Sequence, residues 1–267
     1  MHKPSSFNDY IIAFATALFL TIFLGVYLFI RRGFMIDAPA GIDVMYMPNK
    51  ILANVGMMII ALSFLFGPIT RYFNRFDTFI GCRKEIGIVG AFIALSHGII
   101  SYFFLPKRYP SEYIDFLSLE FFSALVGAFF LFFLFIISFK KAIELIGAGR
   151  WWFWQRFGLR IVVILTLVHV VFLKWESWMR WFVEDLPVSK ELVFTWLPAV
   201  NLLTTLFIVW VVLIRIYESI FLFQDFGWKT KEISMDPVLH ARGRRFFIGS
   251  FWVLVLLYII VFTRFLF

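Results

Sequence analysis

Cys82 is the only cysteine, so no disulfide can form within the chain and no cysteine-based metal site can be built. Histidine is nearly as scarce, with four in 267 residues. Charge is thin as well. Asp, Glu, Lys and Arg together make 16% of the chain, against roughly a quarter in a soluble domain. Most of the sequence therefore cannot be set against water. No open stretch suits an independent soluble domain. The last apolar run has no lysine, which removes a retinal Schiff base there.

What is present points one way. Hydrophobic residues make 62% of the chain, with 38 Phe and 10 Trp, and the mean hydropathy is +0.89. A bilayer span needs about 20 mostly apolar residues at about 1.5 Å each. Seven runs qualify: Tyr10 to Ile30, Ile51 to Ile69, Glu85 to Leu105, Phe116 to Phe139, Phe157 to Trp175, Trp196 to Tyr217, and Phe246 to Phe267. The expected fold is all-α, a polytopic membrane bundle of about seven helices forming one domain over 1–267. The lipid bilayer is its first partner. The longest connection, Glu218 to Arg245, is polar and is expected on the membrane surface, partly helical. Ala38-Pro39-Ala40 has the look of a signal cleavage site. The first run is too long for a signal core, however, and Arg31-Arg32 intervenes, so it reads as a retained span.

The net charge of +8 suggests membrane topology and not nucleic acid. The basic residues sit in short connections beside apolar runs. Sixteen Lys and Arg fall on the side of the N-terminus and nine on the other. That bias places the N-terminus in the cytoplasm, although Arg31-Arg32 runs against it.

Two histidines, His97 and His169, fall inside the third and fifth runs, where ionisable groups are rare and usually functional. A lone neutral His can equally serve helix packing. The pair shifts the balance. Each lies twelve residues after the start of its run, roughly 18 Å from the same boundary and past the midplane. Two imidazoles at one level on parallel helices are what a bis-His haem requires, and the iron they would ligate is the candidate metal. No third ligand type accompanies them, which disfavours zinc. Gly87, Gly90, Ala94 and Ser101 share the face of His97. Such a stripe either admits a flat macrocycle or packs closely on a neighbouring helix.

The stretch GPITRYFNRFDTFIGCRKEIGIVGAFIALSHGIISYFFLP, residues 67–106, resembles the second and third helices of the ferric-reductase-like transmembrane domain family. The nearest look is to its haem-binding membrane subunits of methionine-sulfoxide reductase systems (MsrQ/YedZ). The signs are Pro68 ending a helix, an Arg soon after, the pair Arg83-Lys84, Gly87 and His97. Residues 146–175, IGAGRWWFWQRFGLRIVVILTLVHVVFLKW, are similar to that family's fifth helix. The resemblance covers about 50–185. It implies a six-helix core (about 50–217 here, with 246–267 an extra span) that binds b-type haem through His97 and His169. It also implies electron transfer across a bacterial inner membrane, from quinol or a flavin reductase to a periplasmic or extracellular acceptor. The family usually carries a further His near the start of the fifth helix. Here Trp154-Gln155-Arg156-Phe157-Gly158 has none, so one haem is expected. No nicotinamide- or flavin-binding domain follows the seventh run, so NAD(P)H is not expected as a direct donor. On this reading the chain is a transmembrane oxidoreductase or the electron-transfer subunit of one. The alternative is a non-redox membrane protein, a transporter or assembly scaffold, with structural histidines.

The remaining polar residues have simpler expectations. Arg83, Lys84, Arg156 and Arg160 read as flanking charge, with an anionic flavin phosphate or a quinone head group as the other use. Lys107, Arg108, Lys174 and Arg180 are interface residues that would also suit haem propionates. Glu120 is close enough to the boundary to reach water. Asn201, Thr204 and Thr205 are expected to hydrogen-bond between helices, Trp175, Trp178 and Trp181 to form an interfacial belt, and His240 to lie on the surface.

Overall fold

Apolar periodicity without interruption produces long helices, and the computed structural model shows seven long and apolar enough to cross a membrane. It describes residues 7–32, 45–73, 81–105, 115, 117–184, 186–189, 192–222 and 237–264. The helices are α1 (Phe7–Arg31), α2 (Tyr46–Phe73), α3 (Arg83–Phe103), α4 (Leu119–Ile137), α5 (Ala148–Val183), α6 (Val200–Tyr217) and α7 (Pro237–Thr263). A short helix, Lys140–Ile146, precedes α5, and a π turn, Glu218–Leu222, extends α6. Ala38-Pro39-Ala40, Lys107, Arg108 and residues 223–236 of the long connection lie outside the described residues.

All seven expected spans are present, and the largest difference is in α5. Its 36 residues make a rod of about 54 Å, against a hydrocarbon core of about 30 Å. It begins at Ala148, nine residues before the apolar run. Gly147 makes the corner before it with φ at +80°, a backbone that only glycine adopts freely. Trp151 donates to the Ile137 carbonyl and Gln155 to Ser138 Oγ, both at 2.9 Å, which ties the start of α5 to the end of α4. Pro68 does not end α2. It lies inside the helix, which runs on to Phe73.

Neighbouring helices alternate in direction. Asn49 meets Ser101 while Gly90 meets Ile59, so α2 and α3 are antiparallel. Glu120 meets His169 while Gly158 meets Leu134, so α4 and α5 are antiparallel as well. The ends at which α1, α3, α5 and α7 begin therefore lie together, and are called the near end here; the opposite end is the far end. Helix α2 is the hub and buries sixteen of its 28 residues, whereas α7 buries four of 27. The outer surface is a coat of large apolar side chains, among them Phe14, Phe129, Phe172, Trp252 and Ile260. A soluble protein could not carry such a coat; a bilayer solvates it.

Candidate functional site

The glycine stripe of α3 goes to packing. A Cβ on Gly90 would lie 2.8 Å from Ile59 Cγ2, and one on Gly56 would lie 3.0 Å from Ala94. Gly87 faces Ser63. The stripe thus meets α2, so of the two uses open to it this face takes helix packing. Gly158 does the same work between α5 and α4, with Leu134 2.7 Å from where its Cβ would be.

His97 lies six residues before the end of α3. Its Nδ1 sits 2.9 Å from Asn49 Oδ1, in the first turn of α2. The Asn49 amide nitrogen donates in turn to Ser101 Oγ at 2.8 Å, which leaves its oxygen facing the ring. His169 Nδ1 lies 2.8 Å from the backbone carbonyl of Glu120, in the first turn of α4. A carbonyl only accepts, so His169 carries its proton on Nδ1. The amide oxygen of Asn49 asks the same of His97. In both rings Nε2 then holds a lone pair, and among the described residues neither Nε2 makes a hydrogen bond. Each ring is held by the opening turn of a helix that enters from the far end.

Both histidines are half-buried, deep within a bundle of helices. Helix α3 has no fully buried residue from Phe92 to Phe103, and α5 has none from Ile164 to His169. The protein therefore leaves partly open the flanks of both helices at the level of the rings. His169 lies within electrostatic reach of His97. Helices α2 and α4 each pack on both α3 and α5 and so lie between the two histidine helices.

The donor set narrows the chemistry. Among the described residues no three His, Cys, Asp or Glu side chains converge as a metal site. Two imidazoles hold iron firmly only when the other ligands arrive with the metal, as in haem. The oriented Nδ1–H bonds and free Nε2 atoms fit that group. Of the four basic residues considered for propionates, Lys174 acts on His169 electrostatically, while Arg180 is exposed and paired with Glu176 at 3.2 Å.

Asn49 and the Glu120 carbonyl were missed in the sequence. Asn49 had a readable signal, a polar residue just at the start of a span; a backbone carbonyl has none. Other polar expectations divide. Asn201 accepts from Trp178 at 3.2 Å, and Thr204 donates to Asn54 at 2.9 Å, both between helices. Thr205 Oγ1 is buried and makes no hydrogen bond. Trp175 is exposed as an interfacial residue should be, but Trp178 and Trp181 are buried and point inward. His240 is not a plain surface residue, since its Nε2 lies 2.8 Å from the Arg71 carbonyl.

No protein-family model matches the chain, and no curated protein matches it.

Proposed function

We propose that this chain is a haem b membrane electron-transfer protein, passing electrons across the bilayer to an extracytoplasmic acceptor through one bis-His site at His97 and His169. The observation that supports it most is the matched state of the two rings. Each commits Nδ1–H to an oxygen and leaves Nε2 uncommitted inside the bundle. His97 and His169 would hold the haem, which would supply a one-electron couple at its iron.

The chain's own contribution is orientation and environment. Asn49 and the Glu120 carbonyl fix ring orientation and tautomer, and a hydrogen-bonded Nδ1–H makes Nε2 the more basic donor. The apolar interior keeps water from the rings, and Lys174 balances negative charge beside His169. No group acts as a chemical acid or base. In this reading the N-terminus is cytoplasmic, in a bacterial inner membrane, and the ferric-reductase-like core spans about 50–217. A quinol or flavin reductase delivers electrons at the near end, and an acceptor protein or metal chelate takes them at the far end. The chain is then a transmembrane oxidoreductase or its electron-transfer subunit.

One observation favours a second reading. The two Nδ1 bonds also tie α3 to α2 and α5 to α4, which is what structural histidines in a transporter or scaffold would do. A dithionite-reduced minus oxidised spectrum of protein purified with haem supplied separates the two. Sharp b-type bands are expected. A colourless protein sinks the redox reading.

A further inference from the structure

At the near end two guanidinium groups clamp one carboxylate, and two more lie within electrostatic reach. Glu218, 2% exposed, accepts Arg71 at 2.7 Å and Tyr72 at 2.8 Å on Oε1, and Arg215 at 2.6 Å on Oε2. Both of its oxygens are thereby used. Arg83 and Arg156 complete the cluster, and Arg83 lies within electrostatic reach of the other three arginines. Arg83 Nη1 and Arg215 Nη1 both approach Gly67, at 3.9 and 3.6 Å from where its side chain would begin. Arg156 lies over the ring of Trp152 at 5.4 Å.

Arg83 is the anomaly. Among the described residues it has no hydrogen bond or ion pair, yet it is half-buried within reach of three like charges and of only one opposing carboxylate, Glu218. The other carboxylate of its turn, Glu85, is buried and acts on Tyr10 and Cys82, on the side of α1. Arg83 is also the first residue of α3, whose N-cap Cys82 makes no side-chain cap, so the opening amides of a 21-residue helix add positive potential there.

We infer that the near end carries a binding site for a phosphate-bearing anion, with Arg83 as its centre, Arg156 as its second arm, and Arg71 and Arg215 supplying field from behind. Guanidinium forks backed by further positive charge suit an acceptor with three or more oxygens better than a single carboxylate. Arg83 opens a helix long and apolar enough to cross a membrane, where a bilayer's headgroups would lie, so the phosphate belongs either to an anionic lipid or to a soluble phosphate. This inference does not rest on the haem reading.

Two arms test it on the full chain. In maltoside micelles, inorganic phosphate is titrated and followed by broadening of its phosphorus resonance. In nanodiscs of phosphatidylcholine with a minority of phosphatidylglycerol, native mass spectrometry counts retained anionic lipid. Wild type should bind in at least one arm, and that arm names the source. Arg83→Gln should bind at least tenfold more weakly in that arm, Arg83→Lys should keep part of the affinity, and the exposed Arg150→Gln should match wild type. Should Arg83→Gln not fold, Arg156→Gln must show the same loss. No binding in either arm, or an equal loss in Arg150→Gln, overturns the inference.

Discussion

The two ends of the bundle handle buried polarity in opposite ways. The near end gathers charge and compensates it: Glu218 is clamped by Arg71, Arg215 and Tyr72. At the far end the histidine pair relies on neutral groups, each ring satisfied on one nitrogen and left open on the other. A carboxylate removed from water costs several kcal/mol unless it is well paired, so the near end has to be closed. A neutral imidazole lone pair costs far less, so the far end can stay incomplete until a ligand arrives. Structure is held most firmly by the charged end, and chemistry is left available at the neutral one.

That contrast can be broken at the near end first. Glu218→Ala strands Arg71 and Arg215, and a buried pair broken on one side costs about 3–5 kcal/mol. Arg71 is 38% exposed and partly screened by solvent, which places the expected loss near the lower bound. Unfolding in mixed micelles measures it, and a loss under about 1 kcal/mol would show that the network is not what closes this end. Next in size is Gly90→Val. Its Cβ would meet Ile59 at 2.8 Å, so overpacking of about 1–3 kcal/mol is expected in the same assay. At the far end, Asn49→Ala should leave the fold in place and weaken haem retention by about 10–100-fold, the usual effect of removing a ligand's hydrogen-bond partner. Equal retention in the variant would mean that Asn49 does not orient His97. Thr204→Val, which removes the interhelical bond to Asn54, should cost only about 0.6 kcal/mol. Cys82 gives the mildest test. It is wholly buried at the near end, and burial pushes its thiol pKa up, which makes thiolate scarce at neutral pH. Maleimide labelling should be slow in the folded protein and fast after denaturation. Rapid labelling of folded protein would contradict a closed near end.

Hydropathy was enough to read seven helices, because the bilayer demands length and apolarity together. It misjudged α5, since a helix can continue beyond the lipid through residues such as Arg150 and Gln155 that score as connection. The two histidines were legible because intramembrane His is rare. Their partners were not: Asn49 lies just ahead of the second apolar run, and the Glu120 carbonyl leaves no mark in a sequence. The stripe of Gly87, Gly90 and Ala94 shows why pattern alone cannot choose between packing and a cofactor slot, since small residues serve both. Arg215 and Glu218 were read as connection charge because hydropathy falls there, while the helix and its π turn carry them into the interior.

Haem content and spin state, measured together on wild type, His97→Ala and His169→Ala, decide whether these two histidines hold one haem. One low-spin haem per wild-type chain is expected, with loss of the low-spin signal in each variant and all three proteins still folded. Two haems per chain, or a wild-type spectrum in both variants, would contradict it.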